Sequence, residues 1–177
     1  QNLKEAVESR LQRLMRQNPT RTDFQERYEK MIAEYNKEKD RAIIEKTFEA
    51  LLVFIQELDE EENRAIQEGL DEETQAIFDL LKKPSLDKKE VESVKEVAIN
   101  LLATLKEEKL KIDQWRDKES TRDAVKITVY DFLYSDKTGL VTKSYDADEL
   151  QHLANKVYRH VYYAYPTLPS PIYSEVA

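Results

Sequence analysis

The sequence predicts an all-α protein, a bundle of six to eight helices with one irregular insertion near residues 135–146. Only two of its 177 residues are glycine and five are proline, so few positions break a helix. Charged residues make up 36% of the chain and apolar residues 40%. The apolar residues recur at spacings of three and four, which favours packed helices over a disordered chain. We expect one domain over 1–177, with an N-terminal arm helix at 1–18, a core at 22–165 and an extended, proline-containing tail at 166–177.

A proline separates the first two predicted helices. Apolar residues at helical spacing over 3–17 predict the first helix. Asn18-Pro19-Thr20 ends it, because a residue that precedes proline avoids the helical region. Thr22 or Asp23 is expected to cap the second helix. The apolar face of that helix consists of Phe24, Tyr28, Ile32 and Tyr35.

A long third helix is predicted from Asp40, its expected cap, to Gly69, which can adopt the positive φ of a C-terminal cap. The residues predicted to face inward are Ile43, Ile44, Phe48, Leu51, Leu52, Ile55 and Leu58. Four consecutive acidic residues follow at 59–62. Successive side chains point to different sides of a helix, so we interpret this run as a solvated face and not as a metal site.

The fourth and fifth helices are predicted to be joined at Pro84-Ser85. Asp71 is expected to cap the fourth, which ends in Phe78-Asp79-Leu80-Leu81. The apolar seam of the fifth consists of Val91, Val94, Ala98, Leu101 and Leu105. It spans about two heptads, which favours packing within the molecule over a free coiled coil.

The sixth helix is predicted after Trp115, with Ser120 or Asp117 as its cap. Residues 125–129 alternate in the manner of a strand, but the upstream cap and the helical surroundings favour a helix. The insertion after it turns at Gly139.

The insertion is followed by the last predicted helix. Leu140-Val141-Thr142 could form a small strand within the insertion. Asp146 is expected to cap the helix, whose inward residues are Leu150, Leu153, Val157 and Val161.

The search for chemistry predicts no catalytic residue and no metal site. Gly69 and Gly139 cannot build a phosphate-binding loop. Glu107-Glu108-Lys109 matches the Glu-x-Lys of restriction nucleases in letters only, because it lies in a predicted helix. His152 and His160 are two helical turns apart, about 12 Å, so surface or cap roles are expected for them. The absence of cysteine excludes disulfides and suits a reducing cytoplasm.

Tyrosine is concentrated in the last third of the chain. Eight of the ten tyrosines are Tyr130, Tyr134, Tyr145, Tyr158, Tyr162, Tyr163, Tyr165 and Tyr173. They could fill the edge of a core, form a protein interface or hold an anionic ligand. The candidates for an anionic ligand are Lys126, Tyr130, Lys137, Lys143 and Arg159. The candidates for an interface in this third are Tyr158, Tyr162 and Tyr165, together with Trp115.

The charge of the chain argues against a free-standing DNA-binding protein. The net charge is −8 and the sequence pI is about 5.0, whereas DNA binding favours a basic surplus. No membrane span or signal peptide is visible, and we expect a cytoplasmic protein. Because the sequence begins Gln1-Asn2-Leu3, we take it for part of a longer chain.

Two stretches resemble a known family. Ile112-Asp113-Gln114-Trp115, followed by Lys118-Glu119-Ser120-Thr121-Arg122 and an apolar helix, resembles the C-terminal helical region of HsdR. HsdR is the motor and restriction subunit of type I restriction-modification enzymes. A second likeness lies at residues 70–81. Gln114 and the long 135–146 segment depart from the family pattern.

The resemblance implies a function without local catalysis. It implies an assembly domain that attaches an ATP-dependent DNA-translocating motor to a methyltransferase core of modification and specificity subunits. ATP and Mg²⁺ would then belong to the full subunit, and DNA would be reached only through the assembly. Trp115, Glu119, Ser120 and Arg122 would be the structural or interface residues. The alternative is a helical domain that binds a nucleotide or another anionic small ligand through its Tyr- and Lys-rich C-terminal third.

Overall fold

The computed structural model describes residues 2–37, 41–140 and 144–174, and within them it contains α-helices and no β-strand. The seven helices are α1 (Leu3–Gln17), α2 (Thr22–Lys37), α3 (Arg41–Glu68), α4 (Glu72–Leu81), α5 (Lys88–Glu108), α6 (Glu119–Tyr134) and α7 (Ala147–Ala164). The all-α prediction is therefore confirmed. The helices group into two compact units, Gln1–Asp71 and Glu72–Ala177.

The first unit is a core of three helices. Its buried apolar residues are Val7, Leu11, Leu14, Tyr28, Leu51, Phe54 and Leu58. A 3₁₀ turn, Pro19–Arg21, joins α1 to α2, and the Asn18 side chain accepts a hydrogen bond from the Thr20 N–H at its start. The predicted cap of α2 at Thr22 or Asp23 is wrong, because Thr22 is already helical. The predicted cap of α3, Asp40, lies outside the described residues.

The predicted inward face of α3 is only partly correct. Leu51 and Leu58 are buried, but Ile44, Phe48 and Leu52 are exposed by 40%, 53% and 47%. The buried stripe of α3 instead consists of Leu51, Phe54, Leu58, Glu61 and Ala65. The apolar face of α3 is wider than the surface that α1 and α2 cover, so part of it stays exposed.

The C-terminus of α3 is closed as predicted. Gly69 has φ +75°. Its N–H bonds to the Ile66 carbonyl at 3.1 Å, and the Leu70 N–H bonds to the Ala65 carbonyl at 2.9 Å. This pair of bonds is the Schellman motif, which requires a left-handed residue where Gly69 stands.

The acidic run at the end of α3 is only partly a solvated face, because Asp59 and Glu60 are exposed but Glu61 and Glu62 are not. Glu61 is only 9% exposed and accepts hydrogen bonds from Arg64, at 2.6 Å, and from Arg21, at 3.4 Å. Glu62 accepts bonds from Arg10 and Arg13 of α1, at 2.9 and 2.6 Å. The run therefore ties α3 to α1 and to the 3₁₀ turn.

The second unit consists of α4 to α7, with α4 packed on α5 and α6 on α7. Its large, fully buried residues include Ile77, Leu81, Leu101, Leu105 and Leu133. Capping boxes begin α5, at Asp87, and α7, at Asp146, which confirms the predicted cap of the last helix. The hydrogen bond from the Glu149 N–H holds the pKa of Asp146 below its ordinary value.

The helical prediction for α6 is confirmed, but the prediction for its cap is wrong. The N-cap is Lys118, and no side chain caps the helix there. Ser120 and Asp117 are exposed. The hydroxyl of Thr121 donates instead to the carbonyls of Trp115 and Lys118. The start of α6 is thus held by a residue inside its first turn.

The insertion after α6 folds back onto the end of that helix. The Leu140 N–H bonds to the Leu133 carbonyl at 2.9 Å. A Cβ at Gly139 would lie 2.1 Å from the same carbonyl oxygen, so close approach requires glycine there. Leu140 lies in a bend, and Val141 and Thr142 of the predicted small strand lie outside the described residues.

The sequence predicted an extended tail after α7, but the described residues of the tail form bends and a turn. The Ser170 hydroxyl donates to the Ala164 carbonyl, and the Ser174 N–H bonds to the Ser170 carbonyl at 3.0 Å. This turn places Tyr173 on α7, where its hydroxyl lies 3.0 Å from Nε2 of His160. His160 is therefore buried, with 5% exposure, and does not have the surface or cap role predicted for it.

Candidate protein interface around Trp115

Trp115 is the centre of the candidate site and is fully buried. Gln114 turns the chain with φ 52°, and Trp115 then begins a 3₁₀ turn that ends at Asp117. The indole Nε1–H donates to the Tyr165 carbonyl, at the C-cap of α7, over 2.7 Å. A single side chain thus fixes the entry to α6 against the end of α7.

An aromatic layer from α7 lies on Trp115. The rings of Tyr158 and Tyr162 meet its ring edge to face, with centroids 6.5 and 6.0 Å away. Tyr162 is 40% exposed, so this layer has one face on the indole and another toward solvent. Burial raises the pKa of the Tyr158 hydroxyl above its ordinary value.

Basic side chains lie over the aromatic layer. The guanidinium of Arg116 is 4.9 Å from the centre of the Tyr162 ring and donates to the Tyr162 carbonyl at 2.9 Å. Lys126 Nζ lies 5.0 Å from the centre of the Tyr158 ring. Arg122 donates to the Arg116 carbonyl at 2.6 Å. We call the residues Arg116, Arg122, Lys126, Tyr158 and Tyr162 the Tyr–Arg surface.

Tyr165 supports this surface from below. Its ring is fully buried, and its hydroxyl donates to Glu73 of α4 at 2.8 Å. Glu73 also pairs with Lys106 of α5 at 2.9 Å. The carbonyl that holds Trp115 therefore belongs to a residue that three helices fix in place.

Most of the interface candidates from the sequence meet at this site. Tyr158, Tyr162 and Tyr165 are in direct contact with Trp115. Arg122 belongs to the site through its hydrogen bond to the Arg116 carbonyl. Glu119 and Ser120 are exposed in the first turn of α6.

The sequence did not single out three residues of the site. Arg116 directly follows Trp115 in the sequence, and this position could have indicated that it belongs to the site. Glu73 and Lys106 carry no such signal, because only the fold brings them to Tyr165.

The candidates for an anionic ligand are distributed differently. Lys126 covers Tyr158, and Tyr130 stacks on Tyr134 with ring centres 4.3 Å apart. A hydrogen bond with Tyr130 raises the pKa of Tyr134 to about 12. Lys137 and Arg159 are exposed, and Lys143 lies outside the described residues. Lys126 and Tyr130 thus each have a packing role within the second unit.

The described part of the chain contains no candidate metal site. Within residues 2–37, 41–140 and 144–174, no group of three or more His, Asp or Glu side chains could hold a metal ion. No helix in those ranges has both the length and the apolar character that crossing a membrane requires.

By fold and site, the second unit is an all-helical region whose distinctive feature is a buried tryptophan beneath half-exposed tyrosine and arginine. Residues 1–164 match the family model of the type I restriction enzyme HindI endonuclease subunit-like C-terminal region. The chain therefore belongs to this family, and the resemblance inferred from its sequence is confirmed. No curated protein and no solved structure was found to be similar.

Proposed function

We propose that this chain is a non-catalytic assembly domain, and that its Tyr–Arg surface attaches the motor subunit to the methyltransferase core. The family gives the coarser setting, the endonuclease subunit of a type I restriction enzyme. The attachment role, and the modification and specificity subunits as partners, are our proposal.

The exposed tyrosine held rigidly on Trp115 is the observation that carries the proposal. Tyrosine and arginine are enriched at the energetic centres of protein interfaces. Tyr162 is 40% exposed, yet its ring meets Trp115 edge to face, and the Arg116 guanidinium lies 4.9 Å from the centre of the same ring. A partner would thus meet side chains whose conformations are already fixed, which lowers the entropy cost of binding.

The surroundings of the surface also suit a protein partner. Residues 1–109 carry 19 basic and 26 acidic side chains, and residues 110–177 carry 9 and 10. The net charges are −7 and −1, so the part that contains the surface is almost neutral. A duplex DNA site would be expected to have a basic surplus.

The remaining parts of the proposal concern the full subunit. ATP and Mg²⁺ would be used by motor and nuclease regions outside this chain, with no cofactor in the chain itself. The assembly would work in the cytoplasm, where its DNA substrate lies.

Substitution of Tyr162 tests the attachment role. In the full endonuclease subunit, Tyr162→Ala should weaken binding to purified modification and specificity subunits by about 30-fold, equivalent to ~2 kcal/mol. The measurement is a titration by biolayer interferometry or fluorescence anisotropy.

Tyr163→Ala is the matched control. Tyr163 is the next residue of α7 and is 51% exposed. Its removal should change the affinity less than threefold. Equal affinities of the Tyr162 variant and the parent, with both proteins folded, would count against the proposal.

The alternative function, binding of an anionic small ligand, has its own test. A nucleotide that binds the native state must raise the melting temperature. We expect a series of nucleotides to leave it unchanged; a concentration-dependent rise that Lys126→Ala abolishes would favour the alternative.

A further inference from the structure

The amino-terminal half of α3 presents an apolar stripe that the other two helices of the first unit, α1 and α2, do not cover. Ile44, Phe48 and Leu52 are spaced four residues apart, which places them on one side of the helix. Each of them is 40% exposed or more. Tyr35, near the end of α2, is also 43% exposed.

The same side of α3 is covered farther along the helix. Continuing from Leu52 by steps of three and four leads to Ile55, Asp59 and Glu62. Ile55 packs against the core, and both acidic residues bind Arg10 of α1. The exposed stripe is therefore a continuation of the surface on which α1 lies.

Pairs of contacting side chains fix the direction in which α1 runs. Tyr28 of α2 bonds to Glu8 of α1, whereas Arg21, seven residues earlier, bonds to the Leu14 carbonyl. The two helices are thus antiparallel.

The same comparison orients α3. Arg21 pairs with Glu61, and Arg27 pairs with Glu57. Helix α2 is therefore also antiparallel to α3, which makes α1 and α3 parallel.

The register between α1 and α3 shows where α1 stops covering the apolar face of α3. Arg10 lies beside Asp59, and Leu3, the first residue of α1, is seven residues earlier. At the same rise per residue in both helices, Leu3 lies close to Leu52. The stripe at Ile44 and Phe48 lies beyond the start of α1, along the line of its axis.

We propose that the segment of the endonuclease subunit that leads into α1 forms an amphipathic helix on this stripe, parallel to α3. The family description places this region at the C-terminal part of the subunit, so the remaining subunit is joined to it through α1. The direction of α1 delivers that segment to the stripe. The stripe then positions the helical region relative to the chain before it.

The size of the stripe favours a covalently linked occupant over a second copy of the chain. Three half-exposed side chains offer on the order of 300 Å², whereas a stable dimer interface buries about 1,200–2,000 Å². A linked segment is present at an effective concentration in the millimolar range, which makes a small contact sufficient. This inference does not depend on the proposed attachment role.

Thiol labelling of the full endonuclease subunit tests the proposal, in a background without other reactive cysteines. Phe48→Cys and Leu52→Cys place reporters in the stripe, and Leu52→Cys retains the Phe48 ring. Val53→Cys is the matched control, because Val53 is 55% exposed but lies on another side of α3. Maleimide should label both stripe variants about tenfold more slowly than the control. Equal rates for all three variants would overturn the proposal.

Cross-linking from the same cysteines identifies the occupant. A thiol-to-amine cross-linker on the Phe48→Cys variant should join it, in mass spectrometry, to peptides that directly precede α1. Cross-links only to a second copy, or protection that rises with protein concentration, would overturn the linked segment in favour of a dimer. Cross-links only to modification or specificity subunits would also overturn it.

Discussion

The pairing of buried charges shows how single residues hold the first unit together. Arg21 is 2% exposed and lies between the Leu14 carbonyl and the Glu61 carboxylate. Burying a charged group in the protein is unfavourable unless the charge is paired. Removal of one partner therefore leaves the desolvation energy of the other charge uncompensated. The acidic run that sequence patterning assigns to solvent thus contains one of the least replaceable residues of α3.

Replacement of Glu61 should therefore be strongly destabilising. We expect Glu61→Ala to lower the free energy of unfolding by about 3 kcal/mol, because Arg21 and Arg64 each lose their hydrogen bonds to the Glu61 carboxylate. Urea denaturation followed by circular dichroism measures the change. Glu60→Ala, at the exposed preceding position, should stay within about 0.5 kcal/mol; similar losses for both variants would contradict the assignment.

His160 makes stability depend on pH. Burial lowers its pKa from 6.5 to about 4, so the unfolded chain binds the proton more tightly than the folded one. Stability should thus be complete above about pH 6.5 and fall as the pH drops toward 4, by about 3 kcal/mol from this residue.

The pH dependence is measured as the difference between variants. Unfolding of the parent and of His160→Gln at pH 7 and at pH 4.5 should show the smaller pH effect in the variant, because carboxylates contribute equally to both. His152→Gln, at an exposed position, should behave like the parent. An unchanged pH effect in His160→Gln would show that the ring is not held neutral.

Helix ends illustrate how elements are specified. At α5 and α7, an aspartate and a glutamate three residues later form capping boxes, a local signal within five residues of sequence. At α6 the cap is Lys118, and the hydroxyl of Thr121 instead ties the helix back to the Trp115 carbonyl. That arrangement depends on the 3₁₀ turn at Trp115, which is not a standard capping pattern.

The start of α6 can be tested with two neighbouring substitutions. Thr121→Val keeps the shape of the side chain but removes its two hydrogen bonds, so we expect a loss of about 1 kcal/mol. Ser120→Ala should be neutral within about 0.5 kcal/mol, since Ser120 is exposed and is not the cap. Thermal unfolding of both variants is the measurement, and a larger effect at Ser120 would restore it as the cap.

The chain as a whole combines a strongly acidic first part with a nearly neutral last part. This distribution is consistent with the proposed attachment of another protein at the Tyr–Arg surface, which lies in the nearly neutral part. The same apolar richness that makes the helices pack leaves the stripe on α3 exposed. In our two proposals, the Tyr–Arg surface and the stripe on α3 both join the region to other proteins or to the preceding part of the subunit.

Local sequence determined the helices, several of their caps and the family. Few glycines and prolines, apolar spacing and the capping boxes are properties of neighbouring residues, so they could be interpreted without coordinates. The same holds for Trp115 and the residues that follow it, which predicted the family that residues 1–164 match.

The tertiary structure alone decided which polar residues are buried and which apolar ones are not. The pairs Glu61–Arg21, His160–Tyr173 and Glu73–Tyr165 join residues 13 to 92 positions apart, and no local pattern encodes such pairs. Phe48 is 53% exposed because the register of α1 on α3 places Leu3 near Leu52 and not near Phe48. Pairing across the fold is thus the physical reason that the contacts within the site and the exposure of the stripe could not be predicted from the sequence.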